Sequence, residues 1–363
     1  MAGRALEVGF VIDGQLPRFP RVWQWLRGCP SDSAVGQMRF GWIARALPPE
    51  RARYSLYRPG GRYDAVVFLK SMSADCQRLA ESLRRRGTRV IFDVNVDYFT
   101  PAEGTFYYRG MAPTAEQTGN ARRMAELSDA LIADSSHLAT VCAKHHPNVR
   151  WISDNVNLRL TPQDHPWKRG PKLDLLWSGE AVKLFELLRI ESVLRKFHSR
   201  VRLVLVTNDL AALNRWFEPW KRRFEQLLGS VEHTIVPFRS VAELLKLYGD
   251  GGGVFISPRF LDNTYNWGHT EWKITLPMAC GRMAFGSPLP SYLDVAARSG
   301  GDGLRLCADD DAWSAALDDA LSDRIDFAEE EKAARDVVEK FYATPAVAAA
   351  HHEYIAEVCA AGR

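Results

Sequence analysis

The sequence predicts an α/β protein of two consecutive doubly wound parallel sheets, and three observations carry that prediction. Short apolar runs of four to six residues alternate with amphipathic stretches from one end to the other. The runs are continuous rather than alternating apolar with polar, the pattern of strands covered by helices on both faces. The rhythm then restarts once, after a polar segment at 161–172 rich in proline and charge.

In the first half, strands are expected at 8–13, 64–70, 89–94, 130–134 and 149–153. Between the second and third lies an amphipathic helix at 75–86, where Leu79, Ala80 and Leu83 share one face. The second series opens at 173–177 and continues at 202–206, 233–236, 253–256, 283–285 and 304–307, with helices at 182–197, 213–228, 241–248 and 312–321. The tail, 327–361, reads as two helices parted by Thr344-Pro345, with Thr344 as N-cap and Pro345 in the first turn. A length of 363 residues suits two domains. The expected division is 1–160, 161–340 and a closing helix, 341–363, that packs back across the domain junction.

Composition removes several function classes. Hydrophobic residues make up 46% and charged residues 25%, which supports two packed cores rather than a disordered chain. A net charge of +3 gives no basic stripe for nucleic acid. The six cysteines are scattered with no Cys-x-x-Cys pair, so neither a zinc site nor a disulfide framework is expected. No apolar run approaches the ~20 residues that cross a bilayer, and the start at Met1 lacks a secretory pattern. A cytoplasmic protein is expected.

Open parallel sheets bind ligands beyond the carboxyl ends of their strands, so the residues just after each strand matter most. The second half begins Trp177-Ser178-Gly179-Glu180, with Lys183 in the next turn. The glycine permits close backbone approach, and a lysine there offers a charge to a phosphate, although the pair also reads as an ordinary turn with a solvated side chain. The segment 255–292 is richer. A strand runs into the polar loop Asp262-Asn263-Thr264-Tyr265-Asn266, then into a short helix from Lys273 stopped by Gly281, then a buried strand and a proline-locked turn. In the first half, Asn95 and Asp97 sit past a strand end, Lys70 past another, and Gly36, Arg39 and Arg45 mark the first helix.

The run Lys273-Ile-Thr-Leu-Pro-Met-Ala-Cys-Gly281, followed by Ser287-Pro-Leu-Pro-Ser-Tyr292, resembles the donor-binding region of GT-B glycosyltransferases. Those enzymes have two facing Rossmann-like domains, and the match is closest to the large retaining group 1, or family 4. Trp177-Ser-Gly179 resembles the glycine turn that opens the donor domain, and Val236-Pro-Phe238 resembles the segment facing the nucleotide base. Asp129-Ala-Leu-Ile-Ala-Asp-Ser-Ser136 resembles the last strand of the acceptor domain.

The resemblance implies transfer of a sugar from a nucleotide-sugar donor to a hydroxyl of a glycan, a lipid-linked saccharide or a small natural product, as in polysaccharide biosynthesis. No cofactor or metal is implied. On the donor side it implicates Gly179, Lys183, Phe238, Asn263, Thr264, Asn266, His269, Glu271 and Lys273. On the acceptor side it implicates Arg39, Lys70 and Asn95, with Asp97 and Lys273 as the catalytic pair. One departure stands out: the family's two acidic positions fall at Gly268 and Leu276, neither of which accepts a charged hydrogen bond.

Two alternatives therefore stay open, a non-catalytic scaffold and a sugar-nucleotide 2-epimerase. A nicotinamide dehydrogenase is disfavoured because no Gly-x-Gly-x-x-Gly turn follows the first strand. The aromatic and basic stretches 18–27 and 213–228 read as core packing, or else as a peripheral contact with the inner membrane surface.

Overall fold

The computed structural model describes residues 4–14, 16, 33–106, 108, 110–111, 113–162, 170–250 and 253–361. The stretch 18–27 lies outside the described residues. Two six-stranded sheets, parallel throughout, account for the strands. The first contains β1 (Leu6–Ile12), β2 (Ala52–Leu56), β3 (Ala65–Leu69), β4 (Arg89–Val94), β5 (Ala130–Ala133) and β6 (Val149–Trp151), in the order β2-β1-β3-β4-β5-β6. The second contains β7 (Leu173–Ser178), β8 (Val201–Thr207), β9 (His233–Pro237), β10 (Gly253–Ser257), β11 (Ala284–Gly286) and β12 (Leu304–Leu306), in the order β12-β11-β10-β7-β8-β9. Both orders reverse once. The reversal falls between β1 and β3 in the first sheet and between β7 and β10 in the second, and such switch points leave a crevice at the strand ends.

The central strands are apolar because helices cover both their faces. In β3, β10 and β11 every residue is buried. β2 is the exception and escaped the sequence reading: an edge strand, Ala-Arg-Tyr-Ser-Leu, mostly half-exposed, with no apolar run to announce it. Helix starts follow local capping chemistry. Ser73 caps Ala74–Arg85, Thr114 forms a capping box with Gln117 at Ala115–Leu127, and Ser135 caps Ser136–Ala143.

Three expectations are adjusted. The helix expected at 182–197 opens as ten residues of 3-10 helix, Ala181–Ile190, before Glu191–Lys196. The one expected at 213–228 is a 3-10 turn, Leu210–Arg215, and a separate helix, Glu218–Ser230, because Pro219 starts a new helix. Ala343, not Thr344, caps the last helix, Thr344–Ala360.

Each sheet has a core on both faces. The final helix belongs to the first sheet: Val347, Ile355 and Val358 pack with Phe10, Ile43 and Ile91. Leu213, Trp216, Phe224 and Leu227 are buried in the second sheet's core. That is the packing reading of their helical spacing, with Leu210 and Phe217 left exposed.

Candidate functional site

The glycine turn after β7 is shaped around a lysine. A β-carbon on Gly179 would lie 2.6 Å from Lys273 Nζ and 2.9 Å from the Trp177 ring, so only glycine leaves the lysine its place. Lys273 Nζ donates to the carbonyl of Ser178 at 2.9 Å and lies 4.5 Å from the centroid of the Trp177 ring, a cation–π contact. The turn itself is fixed by Thr207 Oγ1 donating to the Gly179 carbonyl and by Ala181 N–H donating to Asn208 Oδ1.

Further basic groups converge on this point. Lys183 comes from the 3-10 turn beyond Gly179. Arg259, from the loop after β10, is buried with its guanidinium 3.6 Å from Glu186 Oε1. Glu186 is in turn fixed by the Phe260 N–H at 3.0 Å. Burial, and then Arg259, pull the Lys183 ammonium down to about 8. Lys273 is driven well below the usual lysine range by burial, Arg259 and Lys183. His269 is held well below the usual histidine range by burial and then by Lys183, Arg259, Lys273 and Lys70. Lys70 arrives from the other sheet, after β3, with left-handed backbone (φ 50°) and its ammonium 4.0 Å from Asp13. Basic groups gathered at a switch point are of the kind that suit a multiply charged anion.

Arg259 was not picked out from the sequence. Its signal was there, two residues past the end of β10, but its weight depends on β10 lying beside β7.

The loop between β10 and the helix Trp272–Ala279 meets the first domain. Asn263 Nδ2 donates to the Thr105 carbonyl at 2.6 Å, while Asn263 Oδ1 caps the turn Thr264–Trp267. Thr264 Oγ1 donates to the Pro101 carbonyl at 3.0 Å and accepts the Glu103 N–H at 2.9 Å. Thr105 Oγ1 donates to Asp262 Oδ2 at 2.6 Å. Asn263 and Thr264 thus spend their polar atoms tying the domains together. Asn266 donates to the Phe260 carbonyl at 2.9 Å and keeps a buried Oδ1 without a partner. At Gly268 a β-carbon would meet Asp97 Cβ at 2.7 Å and its backbone nitrogen at 2.8 Å. Phe238 stands apart after β9, 42% exposed, its N–H on the Thr207 carbonyl.

On the opposite wall, Asp97 Oδ1 accepts the Phe99 and Thr100 N–H groups at 2.8 and 2.9 Å, leaving Oδ2 buried and unpartnered. Asn95 Oδ1 is likewise buried without a partner. Arg39 lies deeper. Its guanidinium binds both oxygens of Asp93, Asp154 Oδ1 at 3.1 Å and the Ile152 carbonyl, which makes it a strut between β4 and the chain after β6. Glu271 is buried near Asp154, and burial pushes its carboxyl well above the usual range, Asp154 adding to the effect. Burial does the same to Asp134, helped by Asp154.

Leu276, where the sequence resemblance places an acidic residue, is 2% exposed and packs among Ile274, Met278 and Tyr292. Among the described residues no cluster of three or more His, Cys, Asp or Glu is placed to hold a metal. No described helix is long and apolar enough to cross a membrane.

No protein-family model matches the chain, and no curated protein matches it in sequence. Solved structures do. Sucrose-phosphate synthase from Thermosynechococcus elongatus aligns over 99% of this chain and 100% of its own, at 14% identity and a TM-score of 0.63. Anabaena HepE in complex with UDP and glucose aligns over 97% of this chain and 100% of its own, at 11% identity and 0.64. A glycosyltransferase from Rickettsia africae covers 98% of each chain at 11% identity and 0.65. Two facing parallel sheets with these strand orders, matched over nearly the full length, give this protein the GT-B fold.

Proposed function

We propose that this chain is a nucleotide-sugar-dependent glycosyltransferase, with the donor on the second sheet's domain (161–340) and the acceptor against the first (1–160). The observation that carries the reading is the meeting of Lys183, Arg259 and Lys273 beyond the ends of β7 and β10. Three basic groups around a glycine turn suit a pyrophosphate, and little else asks for so much positive charge in so small a space.

The chemistry follows from that charge. As the acceptor oxygen bonds to the sugar's anomeric carbon, the bond from that carbon to the β-phosphate oxygen breaks and its electron pair stays on the diphosphate. Lys183, Arg259 and Lys273 neutralise the growing charge, the work a metal ion does in other transferases. Asp97 Oδ2, buried and unpartnered, is the acceptor for the hydroxyl proton. The loop contacts across Asn263, Thr264 and Gly268 exclude water from the closed cleft.

A thermal-shift panel of UDP, GDP, CMP and dTDP compounds, with and without EDTA, tests the reading. UDP comes first because HepE is seen with it. A hundredfold excess over Kd is worth ~2.7 kcal/mol, or roughly 2–4 °C for a chain of this size. Silence across the panel sinks the proposal. A second reading, a binding scaffold, is favoured by one observation, the apolar burial of Leu276. It predicts a clear nucleotide shift with no release of nucleotide from any nucleotide sugar over a broad acceptor set.

A further inference from the structure

The ring of His269 stands among cations without an anion. Its Nε2 is buried and has no hydrogen-bond partner. The ring is held edge-on by Tyr265, centroids 4.9 Å apart, and its backbone N–H is fixed on the Asn266 carbonyl. Lys183 faces it from the turn after β7, Arg259 from the loop after β10, Lys273 from the next helix and Lys70 from the other domain. The nearby carboxylates are engaged by the other cations: Glu186 offsets Arg259, Lys183 and Lys273, and Glu180 offsets the same two lysines. Asp97, pressed against the neighbouring Gly268, turns one oxygen to its own backbone. An imidazole so placed disfavours its charged form while the pocket is open, because burial and then the neighbouring basic groups both oppose the charge.

We infer that His269 takes up a proton from solvent as the donor's pyrophosphate enters, so that donor binding and protonation are one linked event. The inference rests on the donor-site reading above. The pyrophosphate of a nucleotide sugar is a diester and holds its two negative charges across the range pH 5–9. Brought among the five basic groups, it offsets their mutual repulsion, and Nε2–H becomes a donor to a phosphate oxygen. Nothing is broken or transferred beyond that proton: solvent supplies H⁺, the imidazole becomes imidazolium, and the proton leaves again with the nucleotide. The bound state holds more protons than the free state, so affinity rises as pH falls. Lys183, held near 8, and Lys273, held well below the usual lysine range, take up protons in the same pocket, so the share that belongs to His269 is read against the His269→Gln variant.

The experiment is calorimetric titration of the full chain with UDP-glucose, GDP-glucose and dTDP-glucose at pH 6.5 and 7.0. Each runs in two buffers, PIPES and imidazole, whose own heats of ionisation differ widely. For a sugar that binds, the difference in heat between buffers counts protons. About half a proton or more per site is expected, with Kd weakening up to about tenfold per pH unit between 6 and 8. His269→Gln, which keeps a polar side chain of similar reach, should still bind while losing that uptake and flattening the pH dependence. Binding with no buffer-dependent heat overturns the inference and leaves the donor site standing, as does undiminished uptake in the variant. Absence of binding by all three sugars overturns the donor-site reading, and this inference with it.

Discussion

Gly268 and Asp97 belong to different domains, yet no side chain fits between them: a β-carbon on Gly268 would sit 2.7 Å from that of Asp97. Glycine at 268 leaves room for the opposite wall, which any larger side chain would meet. Gly268→Ala should force the loop and the wall apart. We expect nucleotide affinity to change less than twofold while turnover drops at least tenfold, measured by titration and by nucleotide release. Overpacking of this kind costs about 1–3 kcal/mol where the neighbours are backbone, which a thermal melt will register as well. Unchanged turnover would show that this contact is not needed for the reaction.

Lys273 and Arg259 should separate binding from stability. If the donor-site proposal holds, Lys273→Ala removes the proposed phosphate contact and should weaken the nucleotide by ~1.5–3 kcal/mol, the worth of a charge-assisted bond, with little change in the melt. Arg259→Ala should weaken it too, and should also destabilise the fold by about 3–5 kcal/mol by stranding Glu186 without its buried counter-charge. Paired melts and titrations of the two variants check the contrast.

Arg39 offers a test of a different kind. It satisfies Asp93 and Asp154 inside the first domain, all three side chains at 1% exposure or less. Arg39→Met leaves two buried carboxylates facing each other, and a loss of about 3–5 kcal/mol in a urea titration is expected. A loss under 1 kcal/mol would mean that water replaces the guanidinium.

Asp134 and Glu271 set a pH dependence above the ordinary carboxylate pKa. Burial first, then Asp154, holds both carboxyls well above the ordinary carboxylate range. The folded state therefore keeps protons that the unfolded chain has already lost. No penalty exists below the ordinary carboxylate pKa of about 4. It accrues as pH rises from there to the raised value, at up to ~1.4 kcal/mol per pH unit per proton. Asp134→Asn should raise stability at pH 8 relative to wild type and flatten the slope. An unaltered slope would remove Asp134 from the account.

His351 works in the opposite direction. Burial holds its imidazole down at about 3, beside Phe10 and within 3.2 Å of Tyr54 Oη. Between about 6.5 and 3 the unfolded chain gains a proton that the folded one refuses, so stability should fall as pH falls through that window. His351→Phe should blunt the acid loss in a melt series from pH 7 to 4.

Much of this was legible in the chain itself. The apolar runs and their restart gave both sheets, because a strand covered on both faces has no other way to look. Gly179 was marked by its place after a strand and Lys273 by the resemblance of its run, and the fold sets one against the other. Arg259 and β2 were not marked: the one is a single basic residue in a loop, the other an edge strand half open to solvent. Asn263 and Thr264 carry the polar character of a ligand loop, yet Asn263 Nδ2 and Thr264 Oγ1 bond backbone atoms of the other domain.

The division has a physical cause. Periodicity and turn residues report how each segment meets its own immediate surroundings, and that settled most element types and the number of sheets. Strand order is different, since it depends on where each crossover lands. Only that order put β7 beside β10, so that Lys183, Arg259 and Lys273 share one small volume. Charge repulsion and burial act through space rather than along the chain, and so the protonation of His269, Lys183 and Glu271 was decided by the tertiary structure alone.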